Sequence, residues 1–409
     1  MFSAFRVGYP RPVDATLIAL SVPFFFLLIG AELLLAHRQG LECHRFDDSV
    51  TDISCGIGQT VTNVFYIALT LAAYSWVLEH ARLTTLEGPV AWVVALVGVD
   101  FLYYWWHRTS HRVNAIWAVH VVHHQSQEYN LAVALRQSWF SSATTWVFYL
   151  PLAVLGVPVH VYAAAVAINT IGQFWFHTRT IGRMGPLEWF LNTPSHHRVH
   201  HGINPEYIDK NYAGLLIIWD RMFGTFAAED QEPVYGTVAV LESRNPVWAQ
   251  FEVFAALARR SLAYRGLDRL TVWVAPPEWT PDGDKAIPAV DRESFALYRP
   301  DQDRRTWWYV GLHFLPVAAA GTGVLSLQTT APAWAVAALA GWVVVGTATF
   351  GGLFERKRWA LRLEQLRLSA PVAVLAGWAW VAPTPLIWGA LGAALAVTGI
   401  SLLFLARTR

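Results

Sequence analysis

Nine long apolar runs constrain this 409-residue chain more than any other feature. Most are long enough to cross the ~30 Å hydrocarbon core of a bilayer, where backbone groups have to hydrogen-bond within their own helix. The composition agrees, with 55% hydrophobic and 14% charged residues. The sequence therefore predicts an all-α, polytopic integral membrane protein. The runs cover residues 13–36, 57–78, 89–106, 139–157, 159–176, 307–325, 332–353, 369–384 and 386–405; several are short or contain proline, so some can be re-entrant rather than spanning.

The positions of lysine and arginine indicate an orientation, because basic residues favour the cytoplasmic side of a membrane. With an odd number of spans and the N-terminus outside, the cytoplasmic pieces are 37–56, 107–138, 177–306, 354–368 and the C-terminus. The outer pieces then contain only Arg6, Arg11 and Arg82 of the 30 basic residues. The first run is too long for a signal-peptide core and lacks a small-x-small cleavage site, so we expect it to span. The compact loops favour a bacterial inner membrane.

The order of the runs suggests three parts. Residues 1–88 form N-terminal membrane helices, 89–306 a central unit whose Trp- and Pro-rich segment 177–306 caps the spans, and 307–409 an appended group of membrane helices. A net charge of +1 gives no reason to expect nucleic acid. The two cysteines, Cys43 and Cys55, are expected to be free thiols, since two cannot build a thiolate metal cage.

Ten of the fifteen histidines lie close together in sequence beside these runs. They are His107, His111, His120, His123, His124, His177, His196, His197, His200 and His201. Histidines three or four residues apart share a helix face, so each cluster can point at one ion. Nine or ten imidazoles exceed a four-ligand shell, which favours two metals, and imidazole suits iron, zinc or copper.

Helix geometry adds one constraint on these clusters. From His111 to His120 the rotation is about 900°, or half a turn out of phase. One straight helix cannot aim both histidines at one place, so the chain has to bend between them, and Asn114 is the expected breaking point. The acids Asp100, Glu128 and Asp209 are candidates for holding ligand N–H groups.

Alternatives to a metal enzyme remain open at this stage. The isolated histidines His37, His44, His80, His160 and His313 are expected to be structural. A non-redox metal-binding or transport protein would place histidines along a span at bilayer depth, whereas these lie at span ends. A zinc protease is disfavoured because no H-E-x-x-H motif occurs.

The motifs HRTSH, HVVHH and HRVHH, in this order, resemble the three histidine boxes of the membrane fatty acid hydroxylase/sterol desaturase superfamily. The longer stretches that start DFLYYWWHRTSH, FWFHT and NTPSHHRVHHGINPEY, with the later NPVW, are most similar to its alkylglycerol monooxygenase branch. The resemblance covers residues 100–250. It implies that 89–306 is a fatty acid hydroxylase-like catalytic domain with a dinuclear metal site at the cytoplasmic helix ends.

The resemblance assigns roles to individual residues. The box histidines that would bind the metals are His107, His111, His120, His123, His124, His197, His200 and His201, with His177 as an additional ligand. His196 lies outside the box frame, one helical turn before His200, and is expected to support the ligands. Arg136 can meet a lipid phosphate or a pterin, or extend to the interface. Arg112 departs from the branch, since the animal enzymes have glutamate at that place.

The implied activity is O₂-dependent hydroxylation of a lipid C–H by two iron ions, at the carbon beside a glycerol ether in the closest case. Sterol, carotenoid or acyl-lipid hydroxylation or desaturation is the alternative, which the arginine at position 112 makes a serious rival. The resemblance implies tetrahydrobiopterin or an external redox protein as the electron donor. The sequence has no flavin or nicotinamide fingerprint, so the reducing power is expected to come from outside the chain.

Overall fold

The computed structural model describes residues 13–290 and 295–406. Within these ranges the chain is helical, and its only strand-like pairings are isolated bridges between Leu191 and Leu216 and between Gly202 and Tyr235. The all-α prediction is confirmed. The helices are α1 Val13–Gln39, α2 Phe46–Ala81, α3 Gly88–Arg112, α4 Asn114–His124, α5 Ser141–Val154, α6 Val159–Gly172, α7 Pro194–His200, α8 Ile218–Phe223, α9 Pro246–Ala263, α10 Asp268–Val274, α11 Arg304–Leu327, α12 Ala333–Phe354, α13 Arg358–Val381 and α14 Pro385–Ala406.

Six of the described helices are long and apolar enough to cross a membrane, namely α1, α2, α3, α11, α12 and α14. The predicted runs 139–157 and 159–176 become α5 and α6, with 14 residues each. At 1.5 Å per residue such a helix is about 21 Å long, shorter than the hydrocarbon layer. These two runs are therefore among the short ones, some of which the sequence allows to be re-entrant rather than spanning.

The spans pack into two apolar groups that share α2. Towards its C-terminal end α2 packs on α3, α5 and α6, where Tyr74 stacks on Tyr162 with ring centroids 4.1 Å apart. On another side α2 packs against α11 and α12. Cys43 and Cys55 are both buried and unbonded to each other, as predicted, although Cys55 lies inside α2 rather than in the loop.

A buried ionic cluster fastens the segment after α8 to the N-terminal end of α2. Arg244 donates to Asp47 at 2.7 Å and to Asp48 at 2.6 Å. Nearby, Arg136 donates to Asp52 at 3.0 Å. Buried charges of this kind are tolerated when they are paired and hydrogen-bonded. The segment after α8 and the segment after α4 are thereby fixed against the start of α2.

Candidate metal centre

The first histidine box lies on the last turns of α3, and the second box lies on α4. The two helices are separated by Val113, whose extended backbone (φ −125°, ψ 110°) ends α3 before α4 starts at Asn114. The Asn114 side chain then donates to the carbonyl oxygens of Val272 and Pro276 at 2.9 and 3.1 Å. The bend that the helical phase required is confirmed, one residue before the predicted position.

The structure brings the nine box and intervening histidines together in two buried groups. Within each group, one ring nitrogen from every member lies within 4.8 Å of those from the other members. We define group A as His107, His111, His120, His124 and His200, and group B as His123, His177, His197 and His201. His196 belongs to neither, because its ring packs against Phe226 on the other side of α7.

The box spacing explains how two groups arise from the same short helices. His120 and His124 are four residues apart on α4 and point to group A, whereas His123, about 100° round the helix from His124, points to group B. In the third box His197 and His201 point to group B and His200 to group A. Each HxxHH box therefore contributes to both groups.

Backbone carbonyl oxygens fix the orientation of four of the rings. The Nδ1 atoms of His107 and His123 lie 2.7 and 3.0 Å from the carbonyl oxygens of Tyr212 and Arg136. The Nδ1 atoms of His177 and His200 similarly lie 2.9 Å from the carbonyls of Gln173 and Lys210. A carbonyl oxygen only accepts, so these Nδ1 atoms carry the proton and their Nε2 lone pairs face the group interiors.

The inward-facing nitrogens fit metal ions. His107 Nε2 lies 2.8 Å from His120 Nε2 in group A, and His197 Nε2 lies 2.8 Å from His177 Nε2 in group B. Adjacent ligands with metal–nitrogen bonds of about 2.1 Å at right angles stand about 3 Å apart. The buried Nε2 atoms of His111 and His200 have no hydrogen-bond partner within the described residues. Two facing lone pairs repel each other unless a cation lies between them, so the donor set fits a metal in each group.

Burial favours the neutral form of an imidazole, which is the state that binds metal. Burial lowers the pKa of His123 to about 4. Burial and the neighbouring imidazoles also lower the pKa values of His120, His124, His197 and His201 well below their usual range. Each group therefore offers uncharged nitrogen donors at neutral pH.

The three acids predicted to hold ligand N–H groups have different surroundings. Asp209 lies 3.6 Å from His111 Nδ1. Burial alone would raise the pKa of Asp209, but its contacts with His111 and Arg112 lower it to about 2. Asp100 accepts instead from backbone and side-chain donors around α8, including the Trp219 indole at 2.9 Å. Glu128 lines a separate cavity and contacts no box histidine.

The two arginines singled out from the sequence lie on opposite sides of the histidines. Arg112 is half-exposed and pairs with Asp209 at 2.5 Å and Glu278 at 3.0 Å. Arg136 is buried, and its guanidinium donates to Asp52, Gln125 and the Val122 carbonyl. The described protein groups thus occupy the donors of Arg136, and its own carbonyl accepts from His123.

Sequence reasoning named Asp209 as a possible support of the site but missed Tyr212 and Asp220. Asp209 and Asn211 adopt positive φ angles of 62° and 55°, which are rare for non-glycine residues and mark a constrained loop. Asp220 accepts from the backbone N–H groups of Tyr212 and Ala213, both at 2.8 Å. It thereby holds the carbonyl that orients His107. The Asp-Lys-Asn sequence, which favours turns, was the available signal.

Comparison with known proteins identifies the relatives of this arrangement. A model of the fatty acid hydroxylase family matches residues 92–225. Human alkylglycerol monooxygenase is 44% identical over 64% of this chain, and the aligned part spans 59% of the human protein. Alkylglycerol monooxygenases from Danio rerio and Xenopus tropicalis are 37% and 35% identical over 85% and 84% of this chain, and the alignments cover 79% and 78% of their lengths.

No solved structure matches the chain. The two vertebrate relatives aligned over more than three quarters of their length confirm the resemblance and the expectation of an oxidoreductase. The alternative of a non-redox metal-binding or transport protein is not supported. The chain therefore belongs to the alkylglycerol monooxygenase family of membrane-bound, fatty acid hydroxylase-like oxidoreductases.

Proposed function

We propose that this chain is a di-iron monooxygenase that cleaves ether lipids of the alkylglycerol class. One atom of O₂ enters the C–H bond beside the ether oxygen, and the other leaves as water with two electrons and two protons from a donor. The resulting hemiacetal separates into an aldehyde and a glycerol. The names of the relatives give alkylglycerol as their substrate, and this specificity is a proposal for the present chain.

One observation carries the proposal: nine buried imidazoles converge in two adjacent groups. A pair of iron ions held there would supply O₂ activation. The protein's part is to hold neutral ring nitrogens inward, through the carbonyl acceptors of Tyr212, Arg136, Gln173 and Lys210. Burial also excludes bulk water from the reacting C–H bond.

We further propose that the site faces the cytoplasm of a bacterial inner membrane. The distribution of basic residues supports this orientation, since it leaves only Arg6, Arg11 and Arg82 outside. A substrate with its chain in the bilayer and its glycerol at the surface would then reach histidines at the helix ends, while electrons arrive from the cytoplasm.

A polar cavity beside group B supports a small-molecule donor such as tetrahydrobiopterin over a redox protein. The cavity has a volume of about 560 Å³, and Glu128, Arg179 and Tyr235 line it. Tyr235 stacks on Tyr129 with ring centroids 4.8 Å apart, and the Tyr129 ring lies 5.2 Å from that of His201. The two tyrosines separate the cavity from the histidines, so a donor bound there could pass electrons without displacing the lipid.

The arginine at position 112 bears on the choice between ether lipids and the sterol, carotenoid or acyl-lipid alternative. Its guanidinium pairs with Asp209 and Glu278 at the half-exposed edge of group A. Two carboxylates around one arginine leave this edge without excess positive charge. The departure from the animal enzymes therefore does not by itself argue against an alkylglycerol substrate.

The test is metal content and turnover of detergent-purified protein given iron, a donor and a panel of lipids. We expect about two irons per chain and loss of O₂-dependent alkylglycerol cleavage in His123→Ala and His200→Ala. His196→Ala is the matched control, because His196 is a buried histidine on the same helix but outside both groups. Turnover of a sterol or carotenoid in place of alkylglycerol would refute the proposed substrate class. Full activity in His123→Ala would refute the assignment of the histidine groups as the active site.

A further inference from the structure

The helices α9 and α10 form a hairpin with one apolar side that is largely exposed within the described part of the chain. They are joined through a turn at Gly266, which has a φ of 55°. The side chains of Leu262, Leu267 and Leu270 are 74%, 79% and 69% exposed. We call this side the apolar stripe; it consists of Trp248, Phe251, Leu262, Leu267, Leu270 and Val274. The spacings 248–251–262 and 267–270–274 keep the residues on one face of each helix.

The opposite side of the hairpin is fixed to the metal-site helix α4. Leu257 and Val272 are buried with Ala118 in one apolar cluster. The Asn114 side chain, at the start of α4, donates to the carbonyls of Val272 and Pro276. Because this side is anchored, the hairpin cannot rotate to bury the apolar stripe against its own protein.

The hairpin lies at the ends of the membrane helices. It contacts α2 and α12: Ala249 shares an apolar cluster with Cys55 in the N-terminal part of α2, and Asn245 lies beside Gly351 near the end of α12. Phe251 also lies beside Phe140, the residue before α5, with ring centroids 5.6 Å apart. These contacts place the hairpin beside the ends of the spans, where the bilayer is expected to meet water.

Positive charge accompanies the apolar stripe. Residues 246–274 contain four arginines, no lysine and two acids. Arg259, Arg265 and Arg269 are exposed, and within the described residues none of them has a carboxylate oxygen within 4 Å of its guanidinium. Amphipathic helices with an apolar face bordered by arginine bind in the headgroup region of a bilayer, and anionic lipids strengthen the binding.

We propose that the α9–α10 hairpin is an interfacial membrane element that inserts its apolar stripe below the headgroups and binds anionic lipid phosphates through Arg259, Arg265 and Arg269. In this proposal the polar segment 177–306 is bound to the membrane surface through the hairpin and does not extend freely into the cytoplasm. Because α9 and α10 pack against α4, binding of the hairpin to the membrane also fixes the depth of the histidine groups relative to the lipid.

The test is site-directed spin labelling of the full chain in lipid nanodiscs. Labels at Leu262→Cys and Leu270→Cys report collision rates with O₂, which concentrates in lipid, and with a water-soluble nickel chelate. Leu395→Cys, exposed on the apolar helix α14, is the lipid reference, and Asp282→Cys, exposed in the loop after α10, is the water reference. The parent chain, which has no introduced cysteine, is treated with the same label and controls for the two natural cysteines, which are buried.

We expect the O₂-to-nickel ratio at both hairpin sites to shift towards that of Leu395→Cys. A ratio matching Asp282→Cys overturns the proposal, and protection from both reagents overturns it in favour of a protein partner such as a second copy of the chain. For the arginines, Arg265→Gln combined with Arg269→Gln should abolish the gain in depth between zwitterionic and anionic nanodiscs. An unchanged gain refutes phosphate binding. Neither readout depends on metal or turnover, so they stand apart from the proposed activity.

Discussion

Replacing Arg136 by glutamine tests whether the ionic cluster at the end of α2 supports the metal centre. The Arg136 guanidinium lies 3.0 Å from Asp52, and both side chains are almost fully buried. It also donates to Gln125 and to the Val122 carbonyl, next to His123. The substitution therefore leaves a buried carboxylate without its cation and frees the last turn of α4.

The expected cost follows from this burial. Removing one partner of a buried ion pair destabilises a protein by about 3–5 kcal/mol, because the remaining charge stays desolvated. Loss of the supports behind a metal-ligating histidine lowers metal affinity about 10–100-fold. We therefore expect Arg136→Gln to unfold more easily and to lose metal from group B before group A.

The assay is unfolding in mixed detergent micelles, with metal content measured on the same samples. Arg356→Gln is the matched control, because its pair with Asp301 is exposed and should contribute at most about 1 kcal/mol. The double variant Arg136→Met with Asp52→Leu should recover part of the stability, since it removes both charges. If Arg136→Gln costs no more than Arg356→Gln, the cluster does not support the site and the reasoning is wrong.

Three further predictions concern other parts of the structure. In α12, Gly351→Ala should cost about 1–3 kcal/mol because its Cβ would overlap a backbone carbonyl oxygen, whereas Gly341→Ala, with open space around it, should be tolerated; equal stabilities in denaturation would contradict this. Arg112→Gln should change stability by less than about 1 kcal/mol, since that side chain is half-exposed, and a larger loss in the same titration would refute the estimate. Chelation of the metal should lower the thermal midpoint of the wild type and of His196→Ala. The midpoint of His123→Ala should fall much less, and an equal shift in all three proteins would refute metal binding by groups A and B.

Much of the site could be predicted because its information is local. The i, i+3 and i, i+4 spacings fix which histidines share a helix face, and the helical phase between His111 and His120 requires the break that occurs at Val113. The apolar runs similarly fix the positions of the long helices. These conclusions need only the geometry of one helix at a time.

Apart from Asp209, the supports of the histidines could not be predicted, because they depend on contacts between distant segments. The acceptor for His107 is a backbone carbonyl more than a hundred residues away, at Tyr212. A carbonyl is present at every residue, so no side-chain pattern marks it. Asp100 and Glu128 were chosen for their proximity in sequence, yet the structure directs Asp100 towards α8 and Glu128 into a cavity.

The charges around group A show why the arginine at position 112, directly after the first histidine box, need not change the chemistry. The Asp209 carboxylate contacts both Arg112, at 2.5 Å, and His111, whose Nδ1 lies 3.6 Å away. A glutamate at position 112 could act on the same histidine directly, whereas here the carboxylate arrives from the loop 209–213 with the arginine behind it. The contacts of Arg112 with Asp209 and Glu278, rather than the identity of the residue alone, therefore determine how the first box is supported.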